Sequence, residues 1–171
     1  MRESSLEKCL VYRAGRIDYQ QAWGLQRKLA GLRAKDAVPN LLLLLEHPHT
    51  YTLGRRGVDH DLLLPENELA RLGAKVFWVD RGGQATYHGP GQLVGYPIVD
   101  IRPLGGPRAY VHGLEDALIA ALGDFGIGAR CIDGSPGVWI GEAKIGAIGV
   151  RVSRGITTHG FALNVNTDLD Y

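Results

Sequence analysis

The sequence predicts one α/β domain of the α+β kind, in which long amphipathic helices lie against a sheet-rich centre. Three observations lead there. A chain of 171 residues buries one substantial core but is short for two. Two stretches, from Asp18 to about Leu32 and from about Tyr110 to Phe125, repeat apolar residues at helical spacing. Nearly everything else divides into short apolar or alternating runs punctuated by glycine and proline, which read as strands and turns.

Taken in order, KCLVY around Cys9 is the first strand. The first helix places Ala22, Leu25, Leu29 and Leu32 on one face, and Asp18 with Gln21 three residues on makes a capping box. Leu41 to Glu46 is a continuous apolar run of strand length, predicted to be covered on both faces. Pro65 fits the first position of a short helix with Leu69 and Leu72 on its apolar edge, and Gly73 stops it. A strand follows at Val76 to Val79. After the RGGQ loop come a strand at Ala85 to His88, a GPGQ turn and the strand LVGYPIVDI.

The second long helix carries Val111, Leu114, Leu118, Ala121, Leu122 and Phe125, with Gly126 past its end. Strands ARCI, GVWIG, KIGAIGVRV and THGFALNV complete the chain, with Gly141 and Glu142 at a hairpin turn. In the last strand, alternation puts Thr157, His159, Phe161, Leu163 and Val165 on one face. No repeat or linker divides residues 1–171, so they read as a single domain.

Composition narrows the function classes. A formal charge of +1 gives no field that would recruit nucleic acid or an anionic membrane. The start MRESSLEKCL has no long apolar stretch, and Leu41 to Leu45 is far too short to span a bilayer, so a soluble chain is expected. Two cysteines, Cys9 and Cys131, with no CxxC, make neither a disulfide framework nor a zinc site, which fits a reducing cytoplasm. Both fall in apolar strands and read as core residues rather than nucleophiles. Six histidines are present without HExxH or Cys/His zinc spacing, so structural hydrogen bonding or substrate orientation fits them better than metal ligation.

The densest unusual segment is RGGQATYHGPGQ, Arg81 to Gln92. Its glycines allow backbone amides to meet a ligand closely, and they equally suit an ordinary tight turn. It is no phosphate loop: neither GxxxxGK[ST] nor a GxGxxG between strand and helix occurs. Lys144, in GEAKIGAIG, follows a hairpin turn among small and apolar neighbours. Such a setting can desolvate an ammonium and turn it into a base, and it equally suits a solvated lysine on the outer face of a hairpin.

The strings EHPHTYTLGRR, RGGQATYHGPGQLVGYPIVDI, PGVWIGEAKIGAIGVRV and THGFALNVNTDL, in this order and spacing, resemble the motifs of the lipoyl(octanoyl) transferase family across most of the chain. The resemblance implies a mainly antiparallel mixed sheet with outer helices, as in biotin and lipoate protein ligases. It implies an acyl pocket lined by Arg81, Gly82, Gly83, Gln84, Ala85, Thr86, Tyr87 and His88, by Ala147, Ile148 and Gly149, and by Gly160, Phe161 and Ala162. It implies that Lys144 is the catalytic lysine. The implied reaction moves an octanoyl group from octanoyl-acyl carrier protein to a lysine of lipoyl domains in 2-oxoacid dehydrogenases and the glycine cleavage H protein. It runs through a cysteine thioester, with no cofactor and no metal, in a cytoplasmic monomer that binds neither nucleic acid nor membrane.

One departure qualifies the resemblance. The family's nucleophile is the cysteine of a PCG motif downstream of ALNxNxDL, and the 171 residues contain no PCG string. Neither Cys9 nor Cys131 matches it. The expectation is a catalytic domain lacking the family's C-terminal segment; a natural short form that binds an acyl group or lipoyl domain without turnover is the alternative. An ATP-dependent lipoate or biotin ligase is the rival enzyme, but biotin ligases carry a GRGR-type nucleotide loop where this chain has RGGQATYHGPGQ.

Overall fold

The computed structural model describes residues 8–171. The part of the start read for a targeting signal, up to Glu7, lies outside the described residues. Strand β1 (Cys9–Arg16) leads into helix α1 (Tyr19–Arg33) and then β2 (Asn40–Glu46). Because α1 crosses back over the sheet, β1 and β2 pair in parallel. Asp18 caps α1 by accepting from the Gln20 amide at 2.9 Å, and its other oxygen holds Lys75.

Three short strands form a separate small sheet: β3 (Thr50–Leu53), then, after helix α2 (Glu66–Arg71), β4 (Lys75–Trp78) and β5 (Ala85–His88), ordered β4-β3-β5. Pro65 is the N-cap of α2 rather than its first helical residue. Gly73 ends the turn after α2 at φ 80°, a left-handed conformation open to glycine at little cost. The chain then returns to the large sheet with β6 (Gln92–Ile98), crosses its face as α3 (Pro107–Gly123), and finishes in β7 (Arg130–Ile132), β8 (Ser135–Ile140), β9 (Ala143–Ser153) and β10 (Ile156–Asn164).

The large sheet runs β1-β2-β6-β10-β9-β8-β7, and every pair except β1–β2 is antiparallel. The fold is thus a mixed, mainly antiparallel sheet with outer helices. Helix α1 covers one face, where Ala22 packs with Leu43, Leu45, Val94, Tyr96 and Ala162. Helix α3 covers the other, where Leu118 and Leu122 pack on Val138 and Leu163.

Several expectations change. Only Leu43 and Leu45 of β2 are fully buried; Leu42 and Leu44 face the side that α1 leaves uncovered and are half-buried. Cys9 and Cys131 are exposed, not core, because β1 and β7 are the two edges of the sheet and lack an outer neighbour. In α3 the buried residues are Tyr110, Glu115, Leu118 and Leu122, while Ala121 is exposed; Phe125 lies past the helix end and is 83% exposed. The alternation expected in β10 breaks at His159, whose φ is 57°. Its ring sits by Trp23 and Tyr96 on the α1 side, whereas Phe161 and Leu163 pack on the α3 side. Among the described residues no helix is long and apolar enough to cross a membrane.

Candidate active site

A cleft of about 640 Å³ opens between the small sheet and the β9–β10 region of the large one. Three separated segments meet there. The β4–β5 loop and β5 bring Arg81 to Tyr87; β9 brings Lys144, Ala147, Ile148 and Gly149; β10 brings Ala162. Antiparallel register explains why the last two coincide, since Gly160 pairs Gly149, Phe161 pairs Ile148 and Ala162 pairs Ala147. Behind the cleft lies a cavity of only about 20 Å³, lined by His88, Gly160 and Phe161 with Tyr19 and Tyr96. It shares Arg81, Thr86, Ala147, Gly149 and Ala162 with the cleft, so it forms the cleft's floor. That volume holds little more than one water-sized group.

Arg81 is the keystone of the floor. It is 6% exposed, and its guanidinium donates to Thr52 Oγ1 at 2.8 Å, the Thr52 carbonyl at 2.6 Å and the Gly82 carbonyl at 2.9 Å, all neutral oxygens. Burial pulls its pKa below the ordinary value, with the fields of Tyr19 and Tyr96 acting the other way. A β-carbon on Gly54 would lie 2.5 Å from the Gly83 carbonyl and 2.7 Å from Arg81 Nη1, and one on Gly149 would lie 3.0 Å from the Gly82 carbonyl and 3.1 Å from Arg81 Cδ. These glycines therefore make room for the Arg81–Gly83 loop, its backbone as well as the arginine side chain, rather than for a ligand. Two loop amides that the sequence offered to a ligand are occupied: Gly82 donates to the Val150 carbonyl at 3.0 Å and Gly91 to Glu46 Oε2 at 3.0 Å.

The rings beneath the cleft are held neutral. His88 is buried, and desolvation, reinforced by the field of His47, pushes it down to about 3. Its Nδ1 lies 2.8 Å from Gln92 Oε1, while Gln92 Nε2 donates to the Tyr87 carbonyl and Asn164 Oδ1. That network assigns the proton to Nδ1 of His88. His47 donates from Nδ1 to the Ile17 carbonyl and accepts the Tyr96 hydroxyl on Nε2, each at 2.7 Å. Burial lowers the pKa of His47 and also of His159, where Asp80, 3.0 Å from Nε2, acts in the opposite direction.

At the rim, Lys144 is exposed rather than desolvated. Its Nζ donates to the Pro136 carbonyl at 3.2 Å and stands 4.7 Å from the Trp139 ring centroid. The opposite rim is aromatic: Tyr171 stacks on His49 at 4.0 Å and on Tyr87 at 5.3 Å. The Tyr87 hydroxyl, bonded to His49 Nδ1 at 2.7 Å, is pushed up to about 12 by burial and by Tyr171 and Tyr51, so it stays protonated.

Every residue the sequence proposed for the site lines the cleft or its floor. Sequence reasoning left out Arg56, Gln92, Val111, Pro136, Val150, Asn164, Leu169 and Tyr171 of the cleft, and Tyr19, Tyr96 and His159 of the floor. Gln92 and Asn164 stood inside the motif strings; Tyr19, the first residue of α1, carries no local signal. Among the described residues no group of three or more His, Cys, Asp or Glu is placed to hold a metal ion.

Residues 18–171 match the model of the lipoyl protein ligase A/B catalytic domain. The chain belongs to this family. Within it, the chain is 52% identical to an octanoyltransferase of Solibacter usitatus, over 97% of this chain and 76% of that protein. It is 47% identical to the mitochondrial octanoyltransferase LIP2 of Arabidopsis thaliana, over 94% of this chain and 69% of the relative. Membership alongside these octanoyltransferases makes it an acyltransferase of the lipoyl protein ligase A/B family. The crystal structure of a lipoate-protein ligase A bound with ATP shares the fold, with a TM-score of 0.70 and 19% identity over 96% of this chain and 68% of that one.

Proposed function

We propose that this chain supplies the acyl-binding cleft and the base of an octanoyltransferase acting in lipoate biosynthesis. The donor is octanoyl-acyl carrier protein, and the acceptor is a lysine of a lipoyl domain in a 2-oxoacid dehydrogenase or the glycine cleavage H protein. What supports the reading is the convergence of the Arg81–Tyr87 segment, Ala147–Gly149 and Ala162 on one cleft with Lys144 at its rim, together with 47–52% identity to named octanoyltransferases. We take residues 1–171 as one catalytic domain, monomeric and cytoplasmic, working without a cofactor.

In the first half-reaction a cysteine thiolate attacks the donor's thioester carbonyl. Lys144 Nζ takes the thiol's proton as that thiolate forms, the tetrahedral oxyanion collapses to expel the carrier thiolate, and the carrier sulfur recovers the proton from the Lys144 ammonium, leaving Lys144 neutral for the second half. In the second, the acceptor's neutral amine attacks the acyl-enzyme, the cysteine sulfur leaves, and Lys144 Nζ takes the proton shed by the nitrogen. In the family the nucleophile is the cysteine of a PCG motif, a string that residues 1–171 do not contain. Cys9 and Cys131 do not suit the role: both lie at sheet edges, neither lines the cleft, and desolvation raises both thiol pKa values. The mouth presents Val111, Ile148, Leu169 and Tyr171 to the acyl chain, and each methylene buried there contributes about 0.8 kcal/mol.

The test is octanoyl transfer from octanoyl-acyl carrier protein to a lipoyl domain by the complete polypeptide, without ATP. Lys144→Ala should lower kcat by about 10²–10⁴-fold, the range for losing a general base. Undiminished transfer by that variant removes Lys144 from the mechanism, and a strict need for ATP would favour a ligase.

A further inference from the structure

Glu115 is the only buried charged side chain of α3, 4% exposed, and the mechanism above gives it no task. A carboxylate taken out of water must recover its solvation from neighbours. Glu115 Oε1 accepts the Gly137 amide at 2.9 Å, and Oε2 lies 3.0 Å from His112 Nδ1 on the preceding turn of the helix. The Gly137 bond is the informative one.

The Gly137 N–H and the Pro136 carbonyl are the two ends of one peptide unit. That carbonyl accepts the Lys144 ammonium at 3.2 Å. A trans peptide is rigid and directs its N–H and C=O to opposite sides, so a group that fixes one end aims the other. Nothing softer intervenes. Gly137 has φ 129°, and a β-carbon there would lie 2.5 Å from the Gly146 carbonyl and 3.4 Å from Lys144 Cδ and Cε, so the position beside the lysine stem has no room for a side chain.

We infer that Glu115 is a positioning residue for Lys144, acting from α3 through the Pro136–Gly137 peptide. The inference rests on the reading of Lys144 as the proton acceptor. Its test uses two substitutions that separate charge from reach. Glu115→Gln keeps an acceptor oxygen at the same distance from the helix; Glu115→Asp keeps the charge but is one methylene too short.

Two readouts are taken on the complete polypeptide: the rate at which acetic anhydride labels Lys144, followed by peptide mass spectrometry, and kcat and KM for octanoyl transfer. Glu115→Asp should change the Lys144 labelling rate by about threefold or more and lower kcat about tenfold or more with KM within about twofold, the pattern of a misaligned group rather than lost binding. Glu115→Gln should stay within about threefold of wild type in both. Unchanged Lys144 labelling in a folded Glu115→Asp protein overturns the inference. If that variant does not fold, a folded Glu115→Gln protein whose Lys144 labelling departs from wild type overturns it instead. A Lys144→Ala enzyme with undiminished transfer would defeat the catalytic reading alone, because the labelling rate still decides whether Glu115 holds the lysine.

Discussion

Arg81 shows how a single side chain shapes this site: it fills the space that glycines leave and closes the floor together with His88 and Tyr96. Between that floor and the cleft stands Ala147, which borders both. Ala147→Leu should shorten the accommodated chain. Each methylene denied burial forfeits about 0.8 kcal/mol, roughly fourfold in kcat/KM. Comparing hexanoyl and octanoyl donors checks this; an unchanged ratio would place the acyl chain elsewhere. At this scale the sequence was informative wherever residues sat in long strings, as with Arg81 to Gln92. It was silent on Thr52 and Tyr19, whose roles come entirely from partners distant in sequence: Thr52 from Arg81, Tyr19 from His47 and His88.

Between elements, close approach is arranged by pairing glycines with bulky neighbours. Gly95 on β6 stands opposite Phe161 on β10, and a β-carbon at Gly95 would come within 2.2 Å of the Phe161 ring. Gly95→Ala should destabilise the protein by about 1–3 kcal/mol through overpacking. In a Phe161→Ala background the same change should cost less, with a coupling of at least about 0.5 kcal/mol in a double-mutant cycle of urea unfolding. Additive effects would mean that the ring yields freely. Strands with apolar runs, such as β2 and β6, were legible because burial and composition agree there. Strand β3, only four residues with two threonines, was not: it exists because β4 and β5 flank it. The face of α3 was misjudged for a similar reason. A pattern that sorts residues by hydrophobicity cannot see a glutamate buried to meet a backbone amide.

For the molecule as a whole, the buried histidines tie stability to acidity. His47, His88 and His159 all have pKa values lowered chiefly by burial. The unfolded chain protonates these rings as pH falls through about 6.5, while the folded chain keeps them neutral, so stability is full above that value and lost progressively below it. Urea midpoints should be level from about pH 8 to pH 7 and fall steeply by about pH 5; a midpoint at pH 5 equal to that at pH 7 would show that the rings are not held neutral. The α/β class was readable from the sequence, since helix and strand periods differ. The division into two sheets was not, because it depends on which strand edges meet. The bond from the His159 amide to Gln26 Oε1, 2.7 Å long, spans 133 residues. β1, α1 and β2 can assemble early from near neighbours, but this contact must wait for almost the entire chain, since closing so long a loop is entropically costly. The floor of the cleft is therefore finished late in folding, and a half-made protein would have its first helix in place before it had anywhere to seat a substrate.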